Sequence, residues 1–333
     1  MRFTASEKQE IIHLVVRSEI GVNRTLKEFG LNKSTFYNWY KAYSDHGIDG
    51  LAPHKRTSNR QWNTIPQGQK NLVVELALEL PHLSSRELAY KLTDEQQIFI
   101  SESSVYRLLK DRGLITTPAH IFLSAADEFS NKTGFVHQMW QTDFTYFKIL
   151  GWGWYYLSTV LDDYSRYIVH WELCEGMKVE DVKRTIDRAV FKAKITSKQR
   201  PKLLSDNGSC YIAAELKDYL KSHDMHHIHG RPMHPQTQGK IERYHRTMKN
   251  IVKLDNYYSP EELERAIEKF VNMYNHERYH ESLQNLTPAD VYYGRGEAIL
   301  KERERIKQDC IRKRKLDYEK LKLINQKNNL VLN

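Results

Sequence analysis

The stretch that most constrains this chain runs from Lys202 to Asn250 and holds KLLSDNGS followed by HGRPMHPQTQGKIERYHRTMKN. Asp206 sits in the first piece and Glu242 in the second, with 35 residues between them. Upstream, Asp143 sits in MWQTDFTYF. Each acid falls on a different kind of local structure. The segment around Asp143, QMWQTDFTYFKIL, is rich in aromatic and β-branched residues and predicts a strand. Asp206 follows the apolar run KLL and precedes Asn207-Gly208, which predicts a strand end entering a turn. Glu242 lies near the start of IERYHRTMKNIVKL, a predicted helix on which Arg246 and Lys249, four and seven residues later, share its face. Acids on separate elements that converge in space suit magnesium or manganese, hard ions that prefer carboxylate, water and phosphate oxygens. Two such ions roughly 3.5–4 Å apart clamp the attacking and leaving oxygens of a phosphodiester. Without convergence, these would be three of the 42 Asp and Glu residues that an ordinary solvated surface carries.

The residues flanking the acids decide between these readings. W-x-x-D-F-T, S-D-N-G-S and H-P-Q-T-x-G-K-I-E-R-x-H-R-T resemble the integrase core of DDE transposases and retroviral integrases, and more narrowly bacterial insertion-sequence transposases. That family has two Asp and one Glu with a similar last interval, and a basic residue at the place Lys249 fills. The resemblance implies an RNase H-like α/β core with Asp143, Asp206 and Glu242 as catalytic residues and metal ligands. It implies magnesium, with manganese as a substitute, at two ions per site. It also implies a transposase that binds the terminal inverted repeats of its element, cuts DNA and joins it to a target. An element has two ends, so the active complex is expected to be a homo-oligomer, at least a dimer. The expected location is the bacterial cytoplasm, with nucleoid association when bound to DNA. Unlike retroviral integrases, the chain has no paired His and Cys zinc module at its N-terminus.

The totals agree with a DNA partner. The 333 residues suffice for two or three domains, and a net charge of +9 favours a polyanion. Cys174, Cys210 and Cys310 are odd in number and form no C-x-x-C pair, which argues against a disulfide framework and fits a reducing compartment. MRFTASEKQE lacks the apolar stretch of a signal peptide, and no run is long enough to predict a membrane span.

Residues 1–48 predict a helix-turn-helix domain. Ser6 with Gln9 is expected to form a capping box, Ile11, Ile12, Leu14, Val15 and Val16 an apolar side, and Gly21 the helix end. NRTLKEFG and a helix from about Ser34 follow. In that last helix Phe36, Trp39 and Tyr40 are expected inward, leaving Lys33, Thr35, Tyr37, Asn38 and Lys41 for a major groove. The triplet alone fits a plain three-helix bundle equally well. Residues 49–65 read as a basic linker whose Lys55, Arg56 and Arg60 either enter a minor groove or are merely solvated. Residues 66–115 repeat the helical theme as a second helix-turn-helix domain. Ser84 and Glu87 form its capping box, Gly113 its end, and Ser104, Tyr106, Arg107 and Lys110 its DNA-facing side chains. Residues 116–135 are a connector.

The predicted core, 136–257, opens as three strands in an antiparallel meander and continues as alternating helix and strand. Asp162 and Asp163 end the second strand and are assigned structural roles. His223, His226, His227, His229 and His234 precede Glu242, but no cysteine stands at zinc-finger spacing from them, so zinc is set aside. The loop Gly230 to Gly239 is expected to order with DNA and metal. Arg243, Arg246 and Lys249 are assigned to backbone phosphates. Ser259-Pro260 starts a helix within 258–295, the C-terminal part of the integrase region, and 296–333 is a basic helical tail that docks on a partner subunit, lies along DNA or is solvated. The fold class is therefore multidomain: all-α helix-turn-helix domains, an α/β RNase H-like core and a helical tail. Two rival functions share parts of this architecture. A DNA-binding regulator with a relic core would have lost a carboxylate, whereas all three remain. An RNase H-type nuclease would need no N-terminal DNA readers.

Overall fold

The computed structural model describes residues 3–18, 21–52, 61–115, 133–196, 200–230, 239–253 and 255–331, with side chains described as far as residue 324. It divides into two units, Met1–Trp62 and Asn63–Asn333.

The first unit holds α1 (Ala5–Arg17), α2 (Val22–Glu28) and α3 (Lys33–Gly50). The capping box lies two residues earlier than Ser6: the Thr4 hydroxyl accepts from Glu7 N, and the Glu7 carboxylate takes Thr4 N at 2.6 Å. Ile11, Ile12 and Val15 are buried, whereas Leu14 and Val16 are exposed, because a helix packed on one side buries a narrower stripe than the expected one. Gly21 does not end α1, which stops at Arg17; at φ +84° it caps the start of α2. Phe36 is buried and Trp39 packs beside it, but Tyr40 stacks on the Phe36 ring with its outer side in solvent. The core of this unit extends past residue 48, since α3 bends at Gly47 and buried Leu51 packs with Ile12 and Phe36.

The second unit begins with α4 (Gln67–Glu79), α5 (Ser85–Gln96) and α6 (Glu102–Asp111), packed around Val73, Leu88, Leu92, Val105 and Leu109. Ser84 and Glu87 form the expected capping box, and Gly113, at φ +70°, follows the end of α6. The core sheet comprises β1 (Met139–Ile149), β2 (Gly153–Asp162), β3 (Ile168–Cys174), β4 (Lys202–Ser205) and β5 (His227–His229) in the order β3-β2-β1-β4-β5. β1, β2 and β3 form the antiparallel meander, while β4 pairs parallel with both β1 and β5. Side-chain alternation sends Trp140, Val160 and Leu203 to one face, against α7 (Val179–Lys192), α8 (Ser209–Ile212) and α9 (Ala214–Ser222). Phe147, Ile149, Leu157 and Leu161 face the other way, against α10 (Gly239–Val252) and α11 (Pro260–His276). This three-layer arrangement is the RNase H-like core that the resemblance implied.

After α12 (Pro288–Tyr292), α13 (Gly296–Val331) runs 36 residues. Its charged composition conceals a docking face on this chain's own second helical bundle. The Arg303 guanidinium donates to both carboxylate oxygens of Asp94 on α5 at 2.7 and 2.6 Å, and to the carbonyl of Asn285 at 3.0 Å. Buried Arg314 donates to the Phe99 carbonyl.

Two features of the core make stability predictions. Buried Asn275 on α11 donates to Ile168 O at 3.1 Å and accepts from Ile168 N at 2.9 Å, completing the start of β3. Asn275→Ala leaves both backbone groups unpaired, so urea denaturation is expected to show a loss of about 2–4 kcal/mol. Burial lowers the imidazole of His170 to about 4 and that of His280 to about 3. The second effect at His170 is the charge of Lys192, and at His280 that of Arg166. Unfolded histidine titrates near 6.5, so the unfolded chain binds protons first. The stabilisation is complete above about pH 6.5 and is lost as the pH falls toward 4. The melting temperature is expected to drop across that window by at least about 2–4 °C.

Candidate active site

The register of the sheet brings Asp143 and Asp206 together. Gln141 on β1 pairs with Leu204 on β4, and each acid lies two residues further along its own strand direction. Parallel neighbours are roughly 4.8 Å apart, and the charge of Asp143 bears on Asp206, just past the end of β4. Asp143 shares the parity of Phe147 and Ile149, which puts it on the face that α10 covers. β4 ends at Ser205, so the β1 edge beyond it carries no further strand among the described residues.

α10 supplies Glu242. Ile241, Tyr244, Met248 and Val252 form its buried stripe, and Glu242 stands at the margin of that stripe. Side chains from the sheet fix where the helix starts. Gln141 Oε1 accepts from Ile241 N at 3.1 Å, while Gln141 Nε2 donates to Asp163 Oδ1 at 2.7 Å. Lys240 Nζ donates to Asp163 Oδ2 at 2.6 Å. Asp163 is thereby committed to the framework. Asp162 is likewise committed, accepting from His137 N, Ser165 N and Ser165 Oγ.

The remaining carboxylates are less satisfied. Asp143 Oδ1 accepts from Phe144 N at 2.8 Å, and its Oδ2 lies 3.3 Å from His245 Nδ1. Asp206 Oδ1 accepts from Gly208 N at 2.9 Å, and a Cβ on Gly208 would stand 3.0 Å from that oxygen. Glu242 makes no hydrogen bond or ion pair among the described residues. Burial, then the charge of Asp143, raises the carboxyl of Glu242, partly offset by Arg246 and His245. Burial also raises Asp206, with Asp143 adding to the effect. Carboxylate oxygens brought from separate elements are a donor type suited to a hard divalent cation. Among the described residues, no three His, Cys, Asp or Glu side chains form a group that could hold a metal ion. Magnesium characteristically completes its shell with water and phosphate oxygens.

A cleft of about 360 Å³ opens here, lined by Asp143, Phe144, Thr145, Glu242, His245, Arg246, Lys249 and Asn250. Of the three cations predicted on α10, Arg246 and Lys249 line it. Arg243 does not; its charge acts on Arg166, Tyr274 and His280 instead. Sequence reasoning missed His245 and Gln141. His245 carried a signal, since it lies three residues after Glu242 on the same helix.

Lys33, Tyr37, Asn38 and Lys41 are exposed on α3 and Thr35 is half-buried. On α6, Arg107 and Lys110 are exposed, with Ser104 and Tyr106 half-buried. Arg107 and Tyr106 line a groove of about 500 Å³ with Ser85, Ser101, Glu102 and Ser103. Lys55, Arg56, Arg60 and His234 lie outside the described residues.

Comparison with known proteins finds integrase core domains over residues 136–235 and 223–288, a helix-turn-helix domain over 7–60 and a homeodomain-like domain over 35–109. The chain is similar to the Gag-Pro-Pol polyprotein of squirrel monkey retrovirus, with 28% identity over 52% of this chain and 8% of that one. It is similar to the transposase for transposon Tn552 of Staphylococcus aureus, with 21% identity over 74% of this chain and 56% of that one. It thus spans less than two thirds of either relative. A solved structure of the HTLV-2 integrase catalytic core domain in complex with magnesium is 19% identical over 47% of this chain and 97% of that one, with a TM-score of 0.39. Integrase core domain matches thus cover the sheet and its three carboxylates, residues 136–288, and helix-turn-helix matches cover the helices ahead of them.

Proposed function

We propose that the protein binds the terminal inverted repeats of a mobile DNA element, cuts a strand at each end and joins it to target DNA. The observation that carries this reading is the meeting of Asp143 and Glu242 in a cleft that Arg246 and Lys249 also line, with Asp206 coupled to Asp143 beside it. Asp143, Asp206 and Glu242 would hold magnesium, or manganese in its place, at two ions per site; bound ions would supply charge neutralisation and an activated oxygen nucleophile.

The residues around the acids have their own tasks. Arg246 and Lys249 bind backbone phosphates and hold the strand against the carboxylates, an attraction that weakens with salt. Gln141, Asp163 and Lys240 keep Glu242 at a fixed height over the sheet, so alignment is present before DNA arrives. Water then displaces the 3′ oxygen from the scissile phosphorus, and the freed 3′-OH attacks a target phosphodiester in the same geometry, expelling the target strand's own 3′ oxygen as its P–O bond breaks. Neither step needs a bond between protein and DNA. α3 and α6 would supply end recognition through the residues named for each, with Lys55, Arg56 and Arg60 as candidate minor-groove contacts. Two ends must be held together, so the working complex is at least a dimer, and its place is the bacterial cytoplasm, on the nucleoid when bound.

The test is strand cleavage and joining on labelled DNA carrying the element's own ends, with magnesium and with chelator. The expected result is binding in both conditions, with cutting and joining only when magnesium or manganese is present. Binding without cutting in either metal would sink the enzyme reading and bring forward a DNA-binding regulator. Cutting of an RNA–DNA hybrid without end-specific binding would favour a nuclease.

A further inference from the structure

The tip of the β1–β2 hairpin carries an aromatic surface that the core does not use and that shares one lysine, Lys249, with the carboxylate cleft. The ring of Tyr146 meets that of Trp154 edge-on, with centroids 5.4 Å apart, and both side chains are about half exposed, at 49% and 52%. Three lysines surround the pair. Lys249 lies 4.6 Å and Lys253 5.6 Å from the Tyr146 ring centre, and Lys148 lies 6.0 Å from the Trp154 ring. Among the described residues none of these ammonium groups has a carboxylate within ion-pair distance. The hairpin holds its shape: Gly151 and Gly153 take positive φ at the turn, and Leu150 N donates to Tyr257 O at 3.0 Å.

Such a surface is costly to leave in water without a use, and its charge narrows that use. An aromatic patch ringed by lysines that lack acidic partners repels a second copy of itself and attracts a polyanion. Aromatic faces flanked by cations are the elements that hold unpaired nucleic-acid bases, with rings stacking on the bases and cations tracking the backbone. The patch adjoins the carboxylates, because Lys249 lines both the cleft and the Tyr146 ring.

We propose that Tyr146 and Trp154, with Lys148, Lys249 and Lys253 around them, form a subsite for unpaired DNA bases next to the cutting site. This rests on the transposase reading and adds to it the form of DNA held there: a strand whose bases have left the duplex beside the scissile phosphate.

The full chain is titrated, in chelator, against a blunt duplex and against the same duplex bearing a short unpaired thymidine tail. The native protein is expected to prefer the tailed duplex by on the order of tenfold. Tyr146→Ala with Trp154→Ala should abolish the preference and leave blunt-duplex affinity unchanged, while Trp154→Phe retains most of it. Because both side chains are half exposed, melting curves of the variants should match the native curve. A native chain without tail preference, or a double variant that keeps it, overturns the proposal. So does a double variant that loses only self-association, measured by sedimentation without DNA. Blunt-duplex binding and magnesium-dependent cutting report on the transposase reading separately, so the two can fail independently.

Discussion

Glu242→Gln is expected to leave DNA binding intact and to lower strand cleavage by on the order of a thousandfold, equivalent to about 4 kcal/mol of barrier. The substitution keeps the side chain's shape and removes its charge. Glu242 is exposed on α10 and lies outside the buried stripe of Ile241, Tyr244 and Met248, so folding should be unaffected. It makes no hydrogen bond whose loss would disturb its neighbours. What disappears is a negative charge that stands beside Asp143 and Arg246. Loss of that charge should, if anything, strengthen phosphate binding, so a mobility shift without cleavage is the expected signature. Asp143→Asn should give the same kinetic loss with an added structural effect, since Asp143 also accepts from Phe144 N and approaches His245. Cleavage by Glu242→Gln at the native rate would remove Glu242 from the proposed site.

Arg303→Met is expected to destabilise the second unit by about 2–4 kcal/mol and to loosen the helical bundle of α4, α5 and α6 from the rest of it. The replacement fills much of the same volume but leaves Asp94 without its two-pronged partner and the carbonyls of Gln284 and Asn285 without a donor. The Arg303 side chain is 8% exposed and that of Asp94 23%, so water recovers part of the loss and the figure stays below that of a fully buried pair. Tyr90 and Tyr279 also lose the guanidinium that packs over their rings. Thermal unfolding should divide into two transitions, and limited proteolysis should separate the bundle from the core. A single native-like transition would show that α13 does not hold the bundle.

Much of the core was legible because its local signals agree. The aromatic run of β1, the glycines of its turn and the Ser259-Pro260 start of α11 each point one way. The convergence of Asp143 and Asp206 was legible only through family motifs, since the pairing of Gln141 with Leu204 joins positions that nothing local connects. The N-terminal cap was misread because Thr4 and Ser6 are each followed three residues later by Glu or Gln, and side-chain geometry alone selects Thr4. Leu14, Val16 and Tyr40 look like core residues, yet a small three-helix unit has too little interior for every apolar side chain. The docking face of α13 was hidden for the opposite reason. KERERIKQDCIRKRK reads as a basic helix with no stated partner within the chain, and only partners some two hundred positions away reveal that Arg303 and Arg314 are buried.

That docking has a geometric consequence. The bundle bearing α6 is tied through α13 to the loop at Gln284 and Asn285, and from there to the helices that cover the carboxylates. On the proposed reading, the protein then works as a caliper: one jaw grips a sequence and the other cuts. The number of base pairs between the jaws is set by the protein, so DNA with an inserted base pair between grip and cut should be cleaved one position away from the original phosphate, at an unchanged distance from the grip.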